Sequence, residues 1–438
     1  MLVSKLIKAI SVGALTTVIG TQVAVAQDNM FSRDRIVGAG EHYLPEFEPR
    51  VVRVGTFKFQ PELGLGVETN SNIYALENDE QSDVIVAVSP AFNLDSDWSR
   101  HALGVTAEAK HKEYTDNGDE SHTNIGGFLR GRLDVTREFN FTVTGSAQSL
   151  TEQRGIYGGS VDLDTSPAEP AEYDVASFGG AANFERDAVQ LSLGANVRQL
   201  SFDDVRLNND FVDDRSFRDF DETEIKARAG YAINPDIAVF VQALTYERDY
   251  SQDINLADTN PNNDIRRDAE GYRATVGTNF QLSSLIRGEV AVGYLFEERE
   301  DARFEDIEGL AVNADVQWLP TPLTTLSLGV DRYSSDTGQI DIPSALVTSG
   351  EVRVDHELKR NILLTASANA GVEEFDGNNA IASYNQDFYD VGAGAVYKLN
   401  PNAHLDFNLR YYNRDSSNET RGRNFDQTIV GVGLKLFP

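Results

Sequence analysis

The sequence predicts an all-β protein, a single transmembrane antiparallel up-and-down β-barrel of about 18 strands. From about Phe57 to the end, segments of roughly ten to fourteen residues alternate apolar and polar side chains with the period of a β-strand. Short turns and long polar loops alternate between these segments, which is typical of outer-membrane barrels. No run of about 18 apolar residues follows residue 26, so the sequence predicts no membrane-spanning helix there.

The alternation of side chains predicts the individual strands. In the segment 102–112, Leu103 and Val105 point to one side, whereas Thr106 and Glu108 point to the other. The clearest segments are 102–112, 127–136, 139–148, 189–198, 362–373 and 405–414. Pro, Asn and Asp mark the short turns between paired segments, as in Asn234-Pro235-Asp236.

The long polar loops give the strand number. They are expected at about 69–82, 113–121, 151–176, 203–221, 251–270, 298–305, 335–347, 376–386 and 415–423. Nine such loops predict 18 strands and place both ends of the barrel on the periplasmic side. Sixteen strands is the alternative, because the segments 57–67 and 305–318 alternate less regularly.

The N-terminus has the pattern of a secretory signal peptide. Lys5 and Lys8 precede the apolar stretch Ala9–Ile19, and Val23–Ala26 ends in an A-x-A site. We therefore expect a signal peptide at 1–26 and the barrel at 57–438. Residues 27–56 carry little pattern, and a periplasmic tail and an N-terminal plug both remain open.

Composition excludes several functional classes. The formal net charge of -31 argues against nucleic acid as a partner, because nucleic acid requires a basic surface. The absence of cysteine suits an oxidising compartment. No pair of the six histidines has metal-ligand spacing, and we identify no catalytic set, metal site or cofactor-binding motif. The sequence therefore predicts a protein that is not an enzyme.

Charged side chains are predicted on the inward side of almost every strand, where a water-filled lumen tolerates them. The predicted lumen-lining residues are Lys110, Lys112, Arg130, Arg132, Asp134, Arg198, Lys226, Arg228, Arg273, Arg287, Glu289, Arg353, Asp406, Arg410 and Arg414. Both signs occur, so we expect a lumen that is near neutral and an excess of negative charge in the loops. These rows allow two interpretations: ion pairs that stiffen the wall, or charges that select solutes.

Aromatic residues near strand ends predict the girdles that mark the membrane interfaces. The predicted girdle residues are Tyr231, Tyr294, Trp318, Tyr333, Tyr397 and Tyr411. A track of inward aromatics that stacks on sugars is the alternative. Only Phe128 and Tyr412 are assigned to the inward face, which is too few for a track.

The stretch from about Gly55 to Asn117 resembles the start of the putative β-barrel porin 2 family. The matching pieces are Phe59–Gly66, Thr69–Ala75, Ser82–Ile85, Val88–Pro90, Ser96–His101 and Tyr114–Asp116. The resemblance implies an outer-membrane barrel of the kind often linked to export of extracellular or capsular polysaccharide.

We therefore expect a passive channel in the cell outer membrane of a Gram-negative bacterium. Export of a polysaccharide is the first hypothesis, a general small-solute porin the second, and a closed structural or adhesive barrel the third. Expected partners are outer-membrane lipid, lipopolysaccharide and the barrel-assembly machinery, and the resemblance adds polysaccharide and periplasmic export components. A loop folded into the lumen, at 151–176 or 251–270, would favour a size-limited porin.

Overall fold

The computed structural model describes residues 37–155, 169–207, 212–254, 264–283, 285–377, 382–418 and 420–438. Its main feature is one closed antiparallel barrel. The barrel strands are β1 (Phe57–Asn70), β2 (Asp83–Ser96), β3 (Ala102–Tyr114), β4 (His122–Asp134), β5 (Phe139–Thr151), β6 (Glu172–Arg186), β7 (Val189–Phe202), β8 (Phe220–Asn234), β9 (Ile237–Tyr250), β10 (Ala269–Leu282), β11 (Ile286–Arg299), β12 (Ile307–Thr321), β13 (Thr324–Gln339), β14 (Ile342–Lys359), β15 (Ile362–Phe375), β16 (Tyr384–Asn400), β17 (Ala403–Ser416) and β18 (Phe425–Leu436).

Each strand pairs with the next along the chain, and the last strand closes on the first. Leu63–Asn70 of β1 pair with Ile429–Leu436 of β18. A short strand, Val52–Val54, pairs with the start of β1 outside this circuit. The predicted all-β class and the count of 18 strands are confirmed, and the alternative of 16 is wrong. No helix among the described residues is long and apolar enough to cross a bilayer.

The alternation of each strand separates a lipid-facing exterior from a polar interior. Leu65, Val86 and Val432 lie on the outer face and stay exposed, as lipid contact requires. Five predicted girdle residues lie outside: Tyr231, Tyr294, Trp318, Tyr397 and Tyr411. The prediction that Tyr333 belongs to the outer girdle is wrong. Its register, through Val347 to Glu373, turns its side chain into the lumen.

Short turns and long loops lie at opposite ends of the barrel. The chain enters β1 and leaves β18 at the end that carries the short turns, which is the periplasmic end. The predicted segment 127–136 ends earlier than expected, at Asp134, because the turn begins there. The predicted signal peptide at 1–26 lies outside the described residues.

The predicted loop 335–347 is wrong, because these residues belong to a hairpin of β13 and β14. Pairing between β12 and β13 ends at Asn313 and Asp331, although β13 continues to Gln339. Beyond that point the hairpin, Arg332–Leu346, leaves the wall and leans into the lumen. Its residues 342–346 are all buried, on both faces of the strand.

The packing of this inward hairpin (Arg332–Leu346) shows where it lies. Leu346 packs against Leu295 of β11 and against Ile307 and Ala311 of β12, all of which face the interior. Ile342 and Ala345 pack with Phe375 and Tyr384, whose rings stack at a centroid distance of 4.6 Å. Apolar contacts on both faces therefore hold the hairpin inside the barrel.

Gly293 on β11 allows this strand to approach β10 closely. A Cβ atom at Gly293 would stand 1.8 Å from the Ala274 carbonyl oxygen of β10. We expect Gly293→Ala to lower the free energy of unfolding by about 1–3 kcal/mol, because the backbone must shift to relieve the overlap. Urea unfolding of the protein in detergent micelles measures this loss.

The matched control is Gly309→Ala on the adjacent strand. Its added Cβ would meet only the Arg332 guanidinium, at 3.9 Å or more, so the unfolding midpoint should stay unchanged. Equal effects of the two substitutions would contradict the close approach of β10 and β11.

Candidate functional site

A cavity of about 320 Å³ lies inside the barrel, between the inward hairpin and the facing wall. Tyr333 and Asp336 line it on the hairpin side. The wall side is formed by β4 to β11, with Arg132 of β4 at one edge. The lining reaches from Glu138, at a periplasmic turn, to Glu152, at the start of an extracellular loop. The cavity therefore follows the axis along which a solute would cross the membrane.

Arginines paired with carboxylates form the extracellular part of this wall. Glu222 binds two of them, Arg198 at 3.0 Å and Arg248 at 2.8 Å. Arg218 pairs with Glu152 at 2.8 Å, and its guanidinium lies 3.8 Å from the ring centroid of Phe202. Arg218 and Arg248 are nearly fully buried, so the carboxylates compensate charges that would be costly in isolation.

Two further arginines continue this wall toward the periplasm. Arg228 binds both carboxylate oxygens of Glu289, at 2.8 and 2.7 Å, and stacks 3.5 Å from the centroid of Phe240. Arg273 pairs with Asp331 at 3.2 Å. Bidentate and stacked contacts hold a guanidinium in one orientation, so this part of the wall is rigid.

Two charged residues in the middle of the wall are exceptions. Glu224 and Lys226 both face the cavity from β8. In the described part of the chain neither of them forms an ion pair or a side-chain hydrogen bond. They are two residues apart on one face of a strand, so their Cα atoms lie about 6.6 Å apart.

Buried polar contacts anchor the inward hairpin. The Arg267 side chain is fully buried and donates to Asp336 at 2.8 Å, to the Thr337 carbonyl at 2.7 Å and to the Pro343 carbonyl at 3.2 Å. Ser344 donates to Glu297 of β11. These contacts connect the hairpin to an extracellular loop and to β11 of the wall.

At the tip of the hairpin, Asp341 pairs with Arg421 of another extracellular loop at 2.8 Å. The hydrogen bond to Asp341 raises the pKa of the Arg421 guanidinium. The loop after β17 is thereby held over the hairpin.

Other inward side chains reach solvent inside the barrel. Glu108 and Lys110 of β3, Asp315 of β12 and Glu351 of β14 are exposed, although their register turns them away from lipid. Eighteen strands spaced about 4.8 Å apart and tilted by about 40° make a barrel on the order of 35 Å wide. The lumen therefore contains solvent-accessible space beside the hairpin.

The N-terminal segment (Val37–Arg50) lies across the periplasmic ends of β13 to β17. The backbone N–H of Ala39 donates to Thr325 at 2.8 Å, and that of Gly40 donates to Glu357 at 2.7 Å. Farther along, Phe47 accepts a hydrogen bond from His404 at 2.9 Å through its carbonyl oxygen. The segment thus occupies the part of the periplasmic mouth opposite the wall that lines the cavity.

The register places all the predicted lumen residues on the inward face. Arg132, Arg198, Lys226, Arg228 and Arg273 line the cavity, and Glu289 holds Arg228 from β11. Arg132 also pairs with Asp134, and the pairs outside the cavity are Lys112–Glu68, Arg353–Asp355, Arg410–Asp390 and Arg414–Glu373. Arg287 donates to Gln317 at 2.8 Å. Among the described residues, Lys110, Arg130 and Asp406 form no ion pair.

Sequence reasoning missed the residues that constrict the lumen. Arg218 and Arg267 lie in loops, where no periodicity indicates which way a side chain points. Arg248 and Tyr246 share the inward parity of Gln242 on β9, so the alternation could have identified them. More inward aromatics exist than Phe128 and Tyr412, among them Phe202, Phe220 and Phe240.

A closed barrel with an apolar exterior, a charged interior and long loops at one end defines a porin-like channel of the bacterial outer membrane. Residues 44–437 match the family described as "Putative beta-barrel porin 2", and the chain belongs to this family. No curated protein sequence matches the chain at a significant level.

Solved structures of outer-membrane proteins resemble this one at low identity. The outer membrane protein OpdK from Pseudomonas aeruginosa is 14% identical, with a TM-score of 0.44 over 87% of this chain and 99% of that chain. A BenF-like porin from Pseudomonas fluorescens Pf-5 is 12% identical, with a TM-score of 0.44 over 87% of this chain and 99% of that chain. The siderophore receptor PirA from Acinetobacter baumannii is 8% identical, with a TM-score of 0.45 over 86% of this chain and 80% of that chain.

The contacts of the N-terminal segment predict how it can be released. Glu357 accepts from the Gly40 N–H, and the same oxygen lies 2.8 Å from His42 Nδ1. We expect Glu357→Ala to free the segment, because hydrogen bonds to a charged group contribute about 1.5–3 kcal/mol. A spin label on Tyr43→Cys, an exposed position in a chain without cysteine, measures the gain in motion.

The control is Glu351→Ala, which removes an inward carboxylate from the same strand but touches no residue of the segment. The label should then move as in the parent protein. Equal mobility in both variants would show that Glu357 does not hold the segment.

Proposed function

We propose that this protein is a passive, size-limited porin for small hydrophilic solutes. The observation that carries the proposal is the inward hairpin, which fills part of a wide barrel and borders a cavity of about 320 Å³ on one side. A cavity of that volume accommodates a small molecule and excludes a folded polymer coil. Hydrated charges on the inner wall supply a polar path that a bilayer lacks.

The paired charges explain how such a path serves many solutes. Arg198, Arg228 and Arg273 are each held by a carboxylate, so the wall is polar but carries little net charge. A wall of this kind excludes neither anions nor cations by long-range repulsion. We infer weak charge selectivity, with size as the main criterion.

Polysaccharide export gains no support from the cavity. A sugar chain would need exposed aromatic faces along its path. Arg218 and Arg228 cover the faces of Phe202 and Phe240, and Tyr173 stacks on the Phe202 ring at 5.2 Å. The export hypothesis rests on the family resemblance. Diffusion of small solutes agrees better with aromatic rings whose faces are already covered by protein side chains.

Liposome swelling with sugars of increasing size tests the proposal. We expect arabinose and glucose to enter quickly and raffinose and larger oligosaccharides to be excluded, because the hairpin limits the passage. Entry of long oligosaccharides at the same rate would favour polymer export. The absence of swelling with every sugar, together with no conductance in a planar bilayer, would favour a closed structural barrel.

The buried side chain of Arg267 anchors the inward hairpin. Arg267→Ala should weaken the hairpin by about 3–5 kcal/mol, because it leaves the Asp336 carboxylate buried without its partner. We expect a larger and noisier single-channel conductance and a higher size limit for sugars, because the hairpin then moves aside.

The matched control is Arg266→Ala, one residue earlier. The Arg266 side chain is exposed and pairs with Glu300 of a neighbouring extracellular loop, away from the hairpin. Its removal should leave conductance unchanged. If Arg267→Ala also leaves conductance unchanged while the protein stays folded, the hairpin does not set the size limit.

A further inference from the structure

The wall of the cavity contains a niche between β6, β7 and β8. Ala181 and Gly194 stand beside Lys226 in one cross-strand row, and Gly179 and Asn196 stand beside Glu224 in the next. All of these residues line the cavity, so the two charged side chains can be reached from its open space. A ligand could therefore lie against the wall here without displacing a large side chain.

The charges around the niche are already compensated. Above it, Glu222 binds Arg198 and Arg248, and below it Arg228 binds Glu289. Glu224 and Lys226 lie in the middle of the described wall, and neither forms an ion pair or a side-chain hydrogen bond there. A desolvated solute that brings both a positive and a negative group would satisfy both of them.

We propose that Glu224 and Lys226 form a recognition site for small zwitterions such as free amino acids. The Glu224 carboxylate accepts hydrogen bonds from the ammonium group of the solute, and the Lys226 ammonium donates to its carboxylate. The two groups of an α-amino acid are separated by one carbon. Side chains that start about 6.6 Å apart on one strand face converge on both groups.

This site discriminates between solutes by their charge pattern. A monocarboxylate gains the contact with Lys226 but is repelled by Glu224. A monoamine gains the contact with Glu224 but is repelled by Lys226. A zwitterion gains both contacts, so it resides longer in the cavity than solutes of equal size with one charge. The inference deepens the proposed porin function by naming the class of solute that the wall favours.

Alanine, propionate and ethylamine provide matched probes at neutral pH. In planar bilayers that contain the full-length protein, we expect alanine to reduce the single-channel current at a lower half-saturating concentration than either singly charged probe. Glu224→Gln and Lys226→Gln should each raise the half-saturating alanine concentration about tenfold, because each removes one charge-assisted contact.

A charge-swapped variant separates recognition from structural damage. In the double variant Glu224→Lys with Lys226→Glu, alanine can bind with its two ends reversed, so block should return toward the parent value. The control pair Glu108→Gln and Lys110→Gln has the same residue types and spacing on β3, but it lies outside the cavity. These two substitutions should leave alanine block unchanged.

Each outcome bears on one proposal. The zwitterion site is overturned if alanine blocks the parent protein and Glu224→Gln equally. It is also overturned if the β3 control loses alanine block to the same extent. Both results leave the porin function intact. A parent protein that never conducts overturns the porin function instead. Calorimetric titration of alanine into the protein in detergent then decides the site alone: binding that Lys226→Gln abolishes supports it, and no binding overturns it.

Discussion

The closure of β1 on β18 is the constraint on which the rest of the structure depends. Within a bilayer each backbone N–H and C=O needs a partner from the protein, and an open sheet would leave two edges without one. Pairing of Leu63–Asn70 with Ile429–Leu436 removes both edges. Closure fixes the parity of every strand, because a slip by one residue would turn charged side chains into lipid. The charged interior follows from that parity.

A barrel of 18 strands is too wide for its own side chains to fill, so its selectivity must come from additional elements. Here the inward hairpin narrows the lumen from the extracellular side, and the N-terminal segment covers part of the periplasmic mouth. Buried polar contacts hold both, through Arg267 for the hairpin and Glu357 for the segment. Such contacts fix position well, because a lost partner leaves a buried charge uncompensated.

Charged residues of the cavity wall have two different roles. Arg228 is held by Glu289 and by the ring of Phe240, which makes it part of a rigid scaffold. Lys226, two residues away, has no such partner in the described structure. The sequence could show that both point inward, because alternation determines the face. It could not show which cation would be paired, because Glu289 lies on β11 and reaches Arg228 only across the folded wall.

The sequence by itself determined the class of fold, the strand number and the inward face of each regular strand, because these follow from period-two alternation and from the order of turns and loops. It did not determine the inward hairpin, because strands that leave the wall keep the same alternation as strands that stay in it. Tyr333 was misassigned to the outer face, although it shares the inward parity of Asp331 and the alternation could have placed it in the lumen. Only the tertiary structure decided how far the lumen is filled, since Arg267 and Asp336 are 69 residues apart in sequence and meet through folding alone.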